Sequence, residues 1–401
     1  MFCLPYAGGG ASAYAGLLRE LTRPAVVPLQ LPGRESRIGE PPAFTVAGIA
    51  DEVAPATREP YALYGHSMGA RLAFEVVREL RRRGLPQPSA LYVGGAHPPD
   101  RRVPLAAAAD LPDDAFIDQL VRRSGALPEL KHVPELRELM MPVLRSDFAW
   151  IKSYAFAPEP PIGCPVVAFT GTDDEEVGAA DMLGWARHTT GGFHLRTLRG
   201  GHLFVKDRPA ELAALIAAGP AAGPATPEPD ELHLWAGPPA GHAAVLRRYA
   251  GRAATAASHT GGLSLVAAGH PDGPGVGVCV LRPADLGGPH HRPAELSEDE
   301  REQIEDAAEE DRRWLALRAV TAKRALVAAE GRGADPAAAC FPDLADSGPW
   351  RAEEGPGLDR PARWQVLHLP LHTSRGEALA AVAVPHGRVR LRFDMPAGQA
   401  G

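Results

Sequence analysis

The heptapeptide Tyr64-Gly65-His66-Ser67-Met68-Gly69-Ala70 constrains the fold of this chain more than any other stretch. It holds a Gly-x-Ser-x-Gly pattern. The apolar run Tyr61–Tyr64 precedes it, and an apolar stripe of Leu72, Ala73, Val76, Val77 and Leu80 follows at helical spacing. A strand that turns straight into a helix forces the serine into a strained backbone conformation, and a Cβ at Gly65 or Gly69 would clash there. The turn exposes the Ser67 hydroxyl above a sheet and aims the Met68 amide at the same point. The alternative is a glycine-rich turn whose serine only caps the helix.

A serine becomes a nucleophile beside a base, and the base needs an acid to orient it. In folds built on this elbow the acid follows the serine and the histidine follows the acid. Cys164–Thr170 is apolar and β-branched, as a buried parallel strand should be. It runs into Gly171-Thr172-Asp173-Asp174-Glu175-Glu176-Val177, and the carboxyl end of such a strand is where α/β sheets place their sites. The spacing G-x-x-D-x-x-V points to Asp174, with Asp173 as its rival. Leu195–Leu198 reads as the next strand, and Gly200-Gly201-His202 follows it directly. Of fifteen histidines, His202 alone combines the right order, the strand end and the flanking glycines. An oxyanion needs two amides. Phe2–Pro5 is a short strand and Tyr6–Ser12 its glycine-rich loop, so the Ala7 amide is assigned beside that of Met68. A phosphate loop is the rival reading, and it fails because no Gly-Lys-Ser/Thr closes the run.

These residues, with the blocks FCLPYAGGGASAY, LQLPGRESRIGEPP, LYGHSMGARLAFEV, LPDDAFIDQL, LRSDFAWIKSY, FTGTDDEEV and GGHLFVKD, resemble the type II thioesterases that accompany polyketide and nonribosomal peptide synthases. The resemblance covers residues 2–218. It implies an α/β-hydrolase fold with a helical lid, and a Ser67–Asp174–His202 triad. The implied activity clears stalled or aberrant acyl groups from the phosphopantetheine arm of acyl or peptidyl carrier proteins. It also implies a strand upstream of Phe2, whereas the chain starts inside the first recognisable strand. Two other readings use the same residues. One is an acyl-coenzyme A or ester hydrolase, or an acyltransferase, on the same fold. The other is a non-catalytic module that binds carrier proteins.

The length of 401 residues suggests two domains. Residues 1–219 alternate strand and helix patterns, except that 105–155 carries helical periodicity alone, as a lid would. Residues 220–229, within Gly219–Pro229, form a proline-rich linker, and 230–401 reads as a smaller α+β domain. The net charge of −7 argues against general nucleic-acid binding. Arg78, Arg81, Arg82, Arg83, Arg101, Arg102, Arg122 and Arg123 could steer an acidic carrier protein, or simply form a solvated face. Cys3, Cys164, Cys279 and Cys340 show no metal spacing. No leader or long apolar run is visible, so a cytoplasmic protein with no membrane span, metal or cofactor is expected.

The second domain resembles a shrunken 4′-phosphopantetheinyl transferase over residues 231–393. The resemblance rests on ELHLW, Ser258-His259, Gly277–Leu281 and the helix segment from Val320 through Lys323, Arg324, Ala325 and Ala328 to Gly331. The positions where that family carries acids hold Cys279, Leu281 and Arg324. A thiol, an alkyl chain and a cation cannot take the place of carboxylates around a magnesium ion. The expectation is a non-catalytic binding domain, with His259 and Lys323 as possible contacts for coenzyme A or phosphopantetheine. The acidic run Glu298–Asp311 is expected to be a solvated face.

Overall fold

A computed structural model describes residues 1–220 and, from 226 onward, all but 274, 288–292, 331–338, 340, 342, 347–349, 352–363, 374–375, 386, 388 and 400–401. The linker residues 221–225, Gly331 and Cys340 therefore lie outside the described residues. The chain divides into two compact units, residues 1–222 and 223–400.

In the first unit a parallel sheet runs in the order β2-β1-β3-β4-β5-β6. Its strands are β1 (Phe2–Leu4), β2 (Val27–Pro28), β3 (Leu63–His66), β4 (Leu91–Gly94), β5 (Val166–Gly171) and β6 (Phe193–Leu198). Every residue of β3, β4 and β5 is buried, which explains their unbroken apolar runs. Helices α1 (Ala15–Glu20), α2 (Val46–Val53) and α3 (Met68–Arg82) come before β4 in the chain. Between β4 and β5 the ordered secondary structure is helical throughout: α4 (Asp113–Ser124), α5 (Pro134–Ser153) and short 3₁₀ turns. Phe116 and Phe148 join α4 to α5 edge to face, with centroids 4.8 Å apart. Helices α6 (Ala179–Leu183), α7 (Phe204–Asp207) and α8 (Pro209–Ala218) complete the unit. The three chemical positions singled out in the sequence all follow carboxyl ends of sheet strands: Ser67 after β3, Asp174 after β5 and His202 after β6.

The second unit is α+β. One sheet has the order β14-β7-β9-β8, built from β7 (Glu231–Gly237), β8 (Ala254–Thr260), β9 (Leu263–Gly269) and β14 (Arg390–Met395). The other, β10-β13-β12-β11, is antiparallel and comprises β10 (Gly277–Leu281), β11 (Trp350–Arg351), β12 (Trp364–Thr373) and β13 (Gly376–Pro385). Helix α9 (Pro239–Tyr249) lies against β9, and α10 (Glu298–Asp306) precedes α11 (Glu309–Glu330), which packs on β10 and β13. Strand β8 and helix α9 are among the elements that escape a sequence reading. Strand β8 is the small, polar ATAASHT, and α9 opens on Pro-Ala-Gly, which hides a helix whose Pro239 sits harmlessly in the first turn.

The expectation of a solvated acidic face holds for much of α10 but not for Glu300, which is buried and ion-paired with Lys323 at 2.8 Å. The thiols of Cys3, Cys164 and Cys279 are free and buried, and burial pushes the first two up to about 12 and the third to about 11. Among the described residues no helix is long and apolar enough to cross a membrane.

Candidate active site

Ser67 sits between β3 and α3 with φ +54 and ψ −116, a conformation that an L-residue adopts only under strain. Close approach of the backbone explains the flanking glycines. A Cβ on Gly65 would lie 2.1 Å from the Gly69 carbonyl oxygen, and one on Gly69 would lie 2.1 Å from that of Leu4. The Ser67 amide donates to the Gly94 carbonyl at 2.7 Å, which ties the elbow to β4. Met68 begins α3, so its amide has no carbonyl one turn back and belongs to the positive end of the helix.

His202 Nδ1 lies 2.9 Å from Asp174 Oδ2, and both side chains are buried. Asp174 Oδ1 accepts the amides of Glu176 at 2.9 Å and Val177 at 3.0 Å. Burial pushes the Asp174 carboxyl up. The hydrogen bond and charge of His202, together with the two amides, outweigh that and hold it below the ordinary carboxylate value. An ionised Asp174 fixes the proton of His202 on Nδ1 and leaves a lone pair on Nε2. Asp173 is exposed and is not the partner of His202. Gly95, at φ +52, lets the β4 end pass close to the pair, since a Cβ there would stand 3.3 Å from the His202 ring.

Ser67, Met68 and His202 line one small cavity of about 30 Å³, together with Gly95, Val103 and Ile151. Ile151 comes from α5, so the helical segment forms part of the wall. A second cleft of about 200 Å³ shares only His202 with the first, and is bordered by Leu127, Glu129 and Lys206. Ala7 lies in the loop after β1, where the Gly9 amide turns back on the Tyr6 carbonyl at 2.9 Å.

Sequence reasoning set aside one residue that the site uses. His66 is buried beside Ser67, and its Nε2 lies 2.8 Å from the His202 carbonyl oxygen, so Nε2 carries the proton and donates. Its Nδ1 then accepts from the Tyr64 hydroxyl at 3.2 Å. Its ring also packs edge to face on Phe204, at a centroid distance of 4.8 Å. Burial, aided by the neighbouring His202, pushes its pKa down to about 3. His66 therefore anchors the backbone of the histidine loop as a neutral ring. The available signal was its place inside the elbow itself.

The chain belongs to the thioesterase-domain family. The family matches residues 1–218. The chain is 38% identical over 216 residues to thioesterase PikA5 of Streptomyces venezuelae, spanning 52% of this chain and 76% of that one. It is 34% identical over 219 residues to the gramicidin S biosynthesis protein GrsT of Aneurinibacillus migulanus, spanning 53% and 85%. Among solved structures it is similar to the RedJ thioesterase from the prodiginine biosynthetic pathway of Streptomyces coelicolor, with 38% identity, 54% and 84% coverage and a TM-score of 0.49. The parallel sheet, the elbow and the helical segment of the thioesterase unit form an α/β-hydrolase fold.

The second unit departs from its sequence expectation at Lys323. That side chain is fully buried. Its Nζ donates to Glu300 and to the Ala339 carbonyl, so it is not placed to meet a phosphate. The motif comparison identified the lysine but could not reveal its acidic partner, which lies on another helix. His259 is exposed on β8, with Nδ1 2.7 Å from the Ser264 hydroxyl and its ring 4.5 Å from that of His242. Cys279 and Leu281 are buried in β10, and Arg324 pairs with Glu295 at 2.6 Å. In the thioesterase unit the arginines of α3 are engaged internally: Arg78 with Glu75 and Glu159, Arg81 with Glu159, Arg82 with Glu79, and Arg83 with Asp51. Such pairing removes them as free steering charges, while Arg101, Arg102 and Arg122 remain exposed.

Proposed function

We propose that this chain is a cytoplasmic editing thioesterase of polyketide or nonribosomal peptide synthesis, hydrolysing aberrant or stalled acyl groups from the phosphopantetheine arm of carrier proteins. The observation that carries the reading is the His202–Asp174 pair at 2.9 Å, with His202 lining one cavity with the elbow serine. Relatives named as a thioesterase and as a gramicidin S biosynthesis protein support the substrate class. The second cleft at His202 is where we place the arm.

In this reading His202 Nε2 takes the Ser67 hydroxyl proton as Oγ attacks the thioester carbonyl carbon. The amides of Met68 and Ala7 hold the developing oxyanion, and Asp174 stabilises the imidazolium. The C–S bond breaks, and His202 returns the proton to the departing thiolate. Water then gives a proton to His202 and attacks the acyl-serine, which releases a carboxylic acid and restores Ser67. None of these steps requires a cofactor. Incubation with acylated carrier protein, followed by intact-protein mass spectrometry, tests the reading. Loss of the acyl mass with wild type, and its retention with Ser67→Ala, is expected. Hydrolysis by both proteins equally would overturn it.

We assign the second unit as a phosphopantetheinyl-transferase-like domain that does not transfer. The side chains at the expected acid positions support this: a buried thiol, a buried leucine and an arginine already paired with Glu295. Apo carrier protein mixed with coenzyme A and Mg²⁺ should show no mass gain, and any conversion would refute the assignment. With Lys323 closed off, exposed His259 is the remaining candidate contact for coenzyme A in this unit.

A further inference from the structure

The loop Tyr6–Ser12 has no regular strand or helix to hold its first amides, yet an oxyanion donor must be fixed to a few tenths of an ångström. A buried ionic clamp does the fixing. Asp147, on α5, accepts the Gly8 amide at 2.7 Å and the Arg34 guanidinium at 2.7 and 2.8 Å. Arg34 in turn donates to the Gly9 carbonyl at 3.1 Å. Two peptide units of the loop, Ala7–Gly8 and Gly9–Gly10, are thus gripped by one ion pair whose side chains are only 3% and 0% exposed. The neighbouring Glu35 takes the Ser12 amide and hydroxyl. Gly8 itself, at φ +78, lies under α5, because a Cβ there would stand 2.7 Å from Leu144 Cδ2. The Ala7 amide, next to the gripped peptides, has no protein partner among the described residues.

Strain collects at the same place. The described non-glycine residues with positive φ are Ser67, Glu35 and Leu127. Glu35 follows Arg34, and Leu127 has a side-chain carbon 3.5 Å from the position of that imagined Gly8 Cβ. Surrounding structure must over-determine such residues, as it does at functional sites. A buried ion pair is a costly device for stability alone, since a well-packed apolar pair is often as stable or more so.

We infer that Arg34 and Asp147 are positioning residues that hold the Ala7 amide in register with that of Met68 and make oxyanion stabilisation depend on the seating of α5. The inference rests on the hydrolytic reading above, in which Ala7 supplies the second donor.

The deciding variant is Arg34→Met combined with Asp147→Leu, which removes both charges together, so that no unpaired charge is left in the core, and releases the Gly8 amide and the Gly9 carbonyl from their clamp. Kinetics on an acylated carrier protein, thermal melting and the affinity of a trifluoromethyl ketone inhibitor are measured beside wild type. The expected result is an unchanged melting temperature and KM, with kcat about 100-fold lower, the scale of losing one oxyanion donor. Inhibitor affinity should fall in parallel. A folded double variant with wild-type kcat and inhibitor affinity overturns the inference. Asp147→Asn alone supplies a second test should the double variant fail to fold. It keeps the shape and an acceptor for the Gly8 amide but weakens the grip of Arg34, and its kcat should fall while KM holds. Wild-type kcat in that single variant also overturns the inference. A wild-type protein that hydrolyses nothing would instead count against the hydrolytic reading.

Discussion

Two buried pairs of a carboxylate and a basic side chain, one from each unit, look alike at first sight. Asp174 meets His202 at 2.9 Å, and Glu300 meets Lys323 at 2.8 Å. They differ in what is left over. His202 spends one ring nitrogen on Asp174 and keeps the other without a protein partner among the described residues, on a ring that borders two cavities. Lys323 gives its ammonium to Glu300 and the Ala339 carbonyl, while Glu300 also accepts the amides of Ser297 and Phe341. The second pair is closed, and it joins α10 to α11 and to the backbone of Ala339 and Phe341. Burial and distance do not separate a chemical site from a structural brace. Unspent hydrogen-bonding capacity facing a cavity does.

Breaking the first pair should remove chemistry and spare the fold. The largest expected effect belongs to Ser67→Ala, with kcat reduced on the order of 10⁵- to 10⁶-fold and an unchanged melting curve. Residual turnover within tenfold of wild type would end the covalent mechanism. Next comes Asp174→Asn, which leaves His202 in the wrong tautomer and should cost on the order of 10⁴-fold in kcat. Asp173→Asn should leave kcat near wild type. The opposite ranking in a side-by-side assay would show that the observed pair is not the working one.

Breaking the second pair should do the reverse. Lys323→Met strands a carboxylate in the core and should destabilise the second unit by about 3–5 kcal/mol, while Lys323→Met with Glu300→Leu should recover only part of that loss, because the Ser297 and Phe341 amides then lose their acceptor. Denaturant titration followed by the fluorescence of Trp350 and Trp364 reads the effect, and thioester hydrolysis should not change. A single variant as stable as wild type would show that the pair braces nothing.

Much of the thioesterase unit was legible because its signals are local. β4 and most of β5 are short apolar runs, and each candidate residue follows a strand end. Asp174 could be ranked over Asp173 by spacing, but its amide partners at Glu176 and Val177 appear only once the turn is folded. Arg34 and Asp147 were opaque for another reason. They stand 113 residues apart, and each alone reads as an ordinary surface charge. Glu300 and Lys323 show the same limit: an acidic run predicts solvation unless a cation from another helix arrives. Non-local charge pairing leaves no period in a sequence, so the contents of the second core could not be read there.

The smallest effect concerns His66, and it bears on why only one of two adjacent histidines can act as a base. Burial holds the His66 pKa at about 3, against an ordinary value of 6.5. The folded ring is neutral across the working range, whereas the unfolded chain takes up a proton below about pH 6.5. The unfolded state therefore binds more protons between about pH 3 and 6.5, and folding stability must fall as pH drops through that window. At pH 5 the loss traceable to His66 is about 2 kcal/mol relative to pH 7.5. His66→Gln keeps a donor for the His202 carbonyl and cannot titrate. Its unfolding free energy, compared between pH 7.5 and 5, should decline less than that of wild type by about that amount. Its pH–rate profile should match that of wild type, because in the proposed mechanism the base that takes the Ser67 proton is His202 and not His66. Equal declines in stability for the two proteins would mean that His66 is not held neutral by its burial. A displaced inflection would mean that the anchor shares the work of the base.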